Sequence, residues 1–187
     1  MLAHLHGQLW NASNIAKSFG IPAPTVGHYL DILEDTFIVR RLQPYHFNTK
    51  KRLIKSSKVY VRDSGLLHAL LKTRIFEDLY GHPSMGSSWE GFVIEQILGL
   101  IPQSWTTYFY RTNAGAEVDL LLFDGRNRPV AIEIKYSSSP KVERGYRNAL
   151  EDLSCKKGFV VYPGAEAYPL GRNVFTLPLK NIEKFLD

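Results

Sequence analysis

Residues 117–136 read EVDLLLFDGRNRPVAIEIKY, and the fold turns on them. Two apolar runs, 117–123 and 130–136, flank Asp124-Gly125, a dipeptide that favours a β-hairpin turn. A strand shows alternate residues to opposite faces, so Glu117, Asp119, Leu121 and Phe123 share one side of the first run. Ala131, Glu133 and Lys135 share one side of the second. Antiparallel pairing can then bring Asp119 beside Glu133. Two adjacent carboxylates repel unless a cation lies between them. A hard divalent ion such as Mg²⁺ takes one or two carboxylates and keeps waters for a substrate phosphate. Lys135 points to the same side, where it could polarise a water or offset charge building on that phosphate. Taken alone, Glu133-x-Lys135 also reads as the ordinary Glu/Lys face of a half-exposed strand.

Working outward, 106–111 is a third strand candidate. Residues 141–153 form an amphipathic helix, and 158–162 an apolar strand. Upstream, 89–101 reads as a helix whose apolar face carries Val93, Ile94, Ile97 and Ile101. At 3.6 residues per turn Glu90 falls in the middle of that face and Glu95 on the opposite one. An acid centred on a buried face needs a partner or a metal. The competing reading is local: Ser87-x-x-Glu90 has the spacing of a capping box. The order from here to the end is helix, three strands, helix, strand, which gives a sheet with helices packed on it.

The first half reads differently. Leu2, Leu5 and Leu9 lie on one helical face with no capping residue before them, which suggests a helix beginning upstream of Met1 in a longer protein. Ser13 can cap a short helix through Phe19, Gly20-Ile21-Pro22 stops it, and a second helix starts near Pro24 with Val26, Tyr29, Leu30 and Leu33 inward. Strand-like segments at 37–42 and 59–61 follow. A helix pair joined by a tight turn and then a two-stranded ribbon is a winged helix-turn-helix. From Arg40 to Arg62 the charge is one-sided. Arg40, Arg41, Lys50, Lys51, Arg52, Lys55, Lys58 and Arg62 meet no acid, with Tyr45, Phe47 and Tyr60 interleaved. Phosphates take cations and bases stack on aromatic rings, so Lys50, Lys51, Arg52, Lys55 and Lys58 are the candidate nucleic-acid contacts of a basic wing. The same charge could instead face water or an acidic partner domain. The second helix carries Asp31, Glu34 and Asp35 and should repel phosphate.

Composition narrows the classes. The chain has 187 residues, 44% apolar and 22% charged, with 23 Lys and Arg against 18 Asp and Glu for a net charge of +5. A core can be buried and general disorder is excluded. No run nears the roughly 18 apolar residues of a membrane span, and the start lacks the basic region of a signal peptide. The single Cys155 can form no internal disulfide, which fits a reducing cytoplasm. With one Cys and scattered histidines no zinc-site spacing exists. Gly81–Ser88 mimics a P-loop, but Ser87 stands where the lysine belongs, so the chain itself is not expected to bind or hydrolyse ATP.

Gly86-x-x-x-Glu90, Glu117-Val118-Asp119 and Glu133-Ile134-Lys135, in that order, resemble the PD-(D/E)XK, or restriction-endonuclease-like, pattern. The first half is similar to another architecture. Its Thr25-Val26-x-x-Tyr29-Leu30, Pro44-Tyr45, Lys51–Tyr60 and Asp63–Leu67 segments look like the C-terminal half of prokaryotic AAA-type ATPases, in which a winged helix and a nuclease-like domain follow the ATPase. The fold this implies is mixed, α+β and α/β. A winged helix-turn-helix (1–62) and a connector helix and linker (63–85) precede a restriction-endonuclease-like α/β domain (86–187). The resemblance further implies Asp119 and Glu133 as ligands of Mg²⁺ or Mn²⁺, Lys135 as catalytic lysine, and Glu90 completing or orienting the site. The activity would be phosphodiester hydrolysis on DNA. A catalytically silent module for DNA binding, protein interaction or regulation of the ATPase is the alternative. DNA, the parent protein's ATPase domain and a second copy of the chain are the candidate partners, and a membrane is not.

Overall fold

The computed structural model of the chain describes residues 1–47, 51–73 and 75–185. These are mixed α/β, with six α-helices and two sheets among the described residues. The chain divides into two units, Met1–Leu42 with Ser56–Gly91, and Gln43–Lys55 with Phe92–Asp187.

In the first unit a short 3-10 helix, Leu2–Leu5, leads into strand β1 (Gln8–Leu9). The expected long helix through Leu2, Leu5 and Leu9 does not form. Gly7 takes a left-handed backbone, φ 76°, which ends helical growth, and its N–H donates to the Val59 carbonyl at 2.8 Å. Helix α1 (Ala12–Phe19) begins one residue before Ser13, because Asn11 caps it: Asn11 Oδ1 accepts from the Asn14 N–H at 3.1 Å. Helix α2 (Ala23–Asp35) has Pro24 in its first turn, where a missing N–H costs nothing. Strands β2 (Val39–Leu42) and β3 (Lys58–Val61) pair antiparallel with Val39 opposite Val61, and β1 pairs on the other side of β3, giving the order β1-β3-β2. Leu30, Val39 and Val59 pack together, and Ile15, Ala16 and Val26 form a second apolar cluster. Helix α3 (Ser64–Leu71) is capped by Asp63, whose carboxylate accepts from the Leu66 N–H. Where breakers suggested a linker, a short helix α4 (Phe76–Tyr80) is followed by α5 (Met85–Leu100), which starts four residues ahead of the expected Trp89. Ser87 therefore lies inside the helix, and its hydroxyl donates to the Ser84 carbonyl at 3.1 Å. The capping-box reading of Ser87 and Glu90 is corrected accordingly.

The second unit is built on a six-stranded sheet. Strands β4 (Thr106–Arg111), β5 (Glu117–Phe123) and β6 (Pro129–Ile134) form an antiparallel meander. The turn between β5 and β6 is wider than a two-residue Asp-Gly turn. Asp124 Oδ1 accepts from the N–H groups of Arg126 and Arg128, and Asn127 supplies the left-handed residue. A parallel neighbour needs a crossover, and helix α6 (Arg144–Asp152) provides it between β6 and β7 (Gly158–Tyr162). Two further strands, β8 (Pro169–Gly171) and β9 (Val174–Pro178), complete the order β4-β5-β6-β7-β9-β8. Tyr146, Ala149 and Leu150 of α6 pack on Leu121, Phe123, Ala131 and Val160.

The basic segment Gln43–Lys55 belongs to this second unit, not to the first. Its aromatic residues explain why. Tyr45 and Phe47 pack on the second unit's core, with the Tyr45 ring 4.7 Å from that of Phe123, and the Tyr45 N–H donates to the Phe109 carbonyl at 2.7 Å. Leu53 bridges to Thr112. The described part of the segment expected as a wing runs as a strap along β4, the outer strand of the sheet.

One glycine fixes the start of α6. A Cβ on Gly145 would stand 2.4 Å from the Gly115 carbonyl oxygen, a backbone atom that cannot swing away. Gly145→Ala is expected to destabilise the fold by about 1–3 kcal/mol, read as a lowered denaturation midpoint. A midpoint equal to the wild type's would show that this close approach is not maintained in solution.

Candidate functional site

β5 and β6 pair with Leu121 opposite Ala131 and Leu120 opposite Ile132. One step further along the same register sets Asp119 across from Glu133. Both carboxylates are buried, Asp119 at 9% and Glu133 at 7% exposure. Asp119 Oδ2 accepts from the Ile134 N–H at 2.9 Å, which locks it against β6. Lys135 follows β6 directly, and its N–H donates to the Val161 carbonyl at 2.9 Å. Its Nζ lies 3.0 Å from Glu133 Oε1 and 2.9 Å from Glu143 Oε1. Glu143 occupies the N-cap position of α6 without a capping bond from its side chain, so the cluster sits where β6 hands over to the crossover. Behind it the Tyr146 hydroxyl donates to the Ala131 carbonyl at 2.8 Å. The charged face of the hairpin is therefore the face that α6 covers.

Burial first, and then the neighbouring Asp119 charge, push the Glu133 carboxyl up to about 8, with Lys135 pulling the other way. Burial works to lower the Lys135 ammonium, but its bonds to Glu143 and Glu133 outweigh that and raise it. The hydrogen bond from Lys135 holds Glu143 below the usual carboxylate range. Glu133 is protonated in the folded chain up to about pH 8, against an ordinary value of 4.5. Its contribution is whole below pH 4.5 and is lost as pH rises towards 8. Denaturation midpoints should fall across that window in the metal-free protein, and Glu133→Gln should flatten the decline. An equal decline in both proteins would assign it elsewhere.

Among the described residues no group of three or more His, Cys, Asp and Glu side chains is arranged to hold a metal ion. The donor set still suits a hard cation. Two buried carboxylates share a site in which burial, and then the Asp119 charge, keep the proton on Glu133, and a divalent ion held by two carboxylates plus water would offset both by favouring the ionised form.

Glu90 is placed in the first unit. Its Oε1 accepts from the Tyr60 hydroxyl at 2.5 Å and lies 3.1 Å from Lys58 Nζ. Lys58 was a candidate phosphate contact, and this is corrected: the residue is 4% exposed and its ammonium is turned to Glu90, so it presents no charge at the surface. Of the other candidate contacts, Arg52 and Lys55 are exposed, Lys51 pairs with Asp152, and Lys50 lies outside the described residues. Arg41 is bound by Asp31 and Glu34 of α2, so those acids are already matched by a cation. Two participants escaped the sequence reading. Glu143 had no signal beyond an acid eight residues past Lys135. His6 had none. It is buried, accepts from the Val61 N–H at Nδ1, 3.0 Å, and meets the Ser87 carbonyl through Nε2, also 3.0 Å. Burial lowers it to about 4, so it is a neutral strut.

Residues 85–182 match the family described as Domain of unknown function (DUF4143). The chain belongs to the DUF4143 family. Residues 1–76 match a second description, Domain of unknown function (DUF8612). Two uncharacterized proteins, Rv2008c of Mycobacterium tuberculosis and Mb2031c of Mycobacterium bovis, are each 41% identical to the chain over 182 residues. The match covers 97% of this chain and 41% of each relative, so the chain spans about two-fifths of the length of the curated relatives it matches. No solved structure matches the chain. The DUF4143 match begins at the first residue of α5 and takes in Glu90, Asp119, Glu133 and Lys135. No helix among the described residues is long and apolar enough to cross a membrane.

Proposed function

We propose that the chain is the DNA-handling part of a longer ATP-driven protein, a winged helix followed by a PD-(D/E)XK domain that hydrolyses phosphodiesters. The observation that carries this reading is the meeting of two buried carboxylates, Asp119 and Glu133, with the Lys135 ammonium 3.0 Å from Glu133. Asp119 and Glu133 would hold Mg²⁺ or Mn²⁺, which supplies charge to neutralise a phosphate and acidify a water. Lys135 keeps its proton, so it serves as a fixed positive charge beside the scissile phosphate. Tyr146 and Asp119's bond to the Ile134 N–H hold the strand ends that carry the carboxylates. The reducing cytoplasm suits the single thiol, and the partners are DNA and the ATPase domain of the parent.

One contact favours a second reading, a silent binding or regulatory module. Lys135 is shared with Glu143, which competes with a phosphate for the ammonium. Supercoiled plasmid incubated with the chain in Mg²⁺ or Mn²⁺ separates the two. Metal-dependent nicking that stops with chelator is the expected result. Intact plasmid with both metals, under conditions where the chain binds DNA, would select the silent module.

A further inference from the structure

We propose that the second unit carries its own nucleic-acid backbone track, formed by Arg52 of the strap with Lys141 and Arg144 at the start of α6, and that this track leads phosphates to the Asp119–Glu133 site. This deepens the nuclease reading and rests on it for the identity of the site. The sequence suggested a wing on the first unit, but Gln43–Lys55 folds with the second. The strap is anchored by its apolar and aromatic residues, Tyr45, Phe47 and Leu53. Among the strap's described cations, Lys51 pairs with Asp152 and Arg52 is exposed.

A continuous series of contacts places these cations near the carboxylates. The Arg52 carbonyl accepts from the Asn113 N–H at 3.0 Å, and the Ile54 N–H donates to the Arg111 carbonyl at 3.1 Å. Asn113 belongs to the tight turn between β4 and β5, closed by the Thr112 N–H donating to the Ala116 carbonyl at 2.9 Å. Gly115 of that turn touches Gly145, where no Cβ fits. Gly145 follows Arg144, and Glu143 before it grips Lys135 at 2.9 Å. Strap, turn and helix start therefore meet around the end of β6 that carries Glu133 and Lys135. Lys141 and Arg144 are exposed. The side chains of Arg52, Lys141 and Arg144 have no hydrogen-bond or ion-pair partner among the described residues, so their charges are available to an outside anion. Arg52 meets the turn through its backbone carbonyl and not through its side chain, which leaves its guanidinium free to reach a phosphate. Exposed cations on neighbouring segments suit the repeating charge of a duplex backbone, and contacts to phosphate carry no sequence preference.

The test is binding of a fluorescently labelled duplex of arbitrary sequence to the intact chain, measured across salt concentrations without divalent metal. Arg52→Glu with Arg144→Glu should weaken binding at least about tenfold and lower the salt slope by about two, one for each phosphate contact. A control pair of equal charge change, Lys17→Glu with Arg172→Glu, reverses two exposed cations elsewhere. It should weaken binding less than about threefold and leave the slope within one unit. Equal losses in both pairs would reduce the effect to net charge and overturn the track. So would an Arg52/Arg144 pair that binds like the wild type. Wild type that binds through Arg52 and Arg144 but never cuts would retire the nuclease reading and leave the track standing.

Discussion

Glu133→Ala should slow metal-dependent DNA cleavage by about a hundred- to ten-thousandfold, the range lost when a charged group that acts in the transition state is removed. The effect is electrostatic. Asp119 and Glu133 are buried side by side, and burial, then the Asp119 charge, raise the Glu133 carboxyl by more than Lys135 lowers it. A divalent ion would complete the balance, and removing Glu133 takes away one of its two carboxylates. Lys135→Ala should lose a comparable factor by another route, since it removes charge at the phosphate but leaves both carboxylates. Duplex binding should persist in both variants, because the exposed cations are untouched. Cleavage that survives either substitution at wild-type rate would place the chemistry elsewhere or assign it to a contaminant.

The second large effect is on stability. Glu90→Ala should destabilise the chain by about 3 kcal/mol, the lower end of the range for breaking a buried ion pair. The substitution takes away the carboxylate that meets both the Lys58 ammonium at 3.1 Å and the Tyr60 hydroxyl. Tyr60 is fully buried and Lys58 nearly so, so neither group can turn to water. Chemical denaturation read by far-UV circular dichroism gives the value. Glu90→Gln keeps a hydrogen-bond acceptor for Tyr60 and should recover part of the loss. A drop below about 1 kcal/mol in Glu90→Ala, the scale of an exposed pair, would show that this cluster is open to solvent.

The sheet of the second unit was legible in the sequence where periodicity was strong. The alternation through 117–123 and 130–136, with Asp124 between them, located β5 and β6 within two residues and placed Asp119 and Glu133 on faces that pairing could bring together, but the register itself is set by the wider turn that Asn127 allows. Strands β8 and β9 were missed because each is short and bounded or opened by proline, the residue that usually ends a strand. At the N-terminus the spacing of Leu2, Leu5 and Leu9 fits a helix, but Gly7 and the open edge of β3 decide for a strand. Charge was read correctly as dense and unopposed along the chain, yet its placement depends on neighbours far off in sequence. Glu90 takes Lys58, Asp152 takes Lys51, and the acids of α2 take Arg41. Tyr45 and Phe47 were read as stacking partners for bases, whereas they anchor the strap to the core. An apolar face or an acid can be seen in a sequence, but the group it meets is fixed only by the tertiary fold.

The most direct test of the account is calorimetric titration of the chain with Mn²⁺ in two buffers of different ionisation enthalpy, for wild type, Asp119→Asn and Glu133→Gln. The account predicts one ion per chain in the wild type, affinity that rises with pH towards 8, and a proton released on binding as Glu133 gives up its own. Binding should be lost in both variants. Wild type that takes up no Mn²⁺, or variants that bind it as tightly and release the same proton, would contradict the assignment of Asp119 and Glu133 as one metal site.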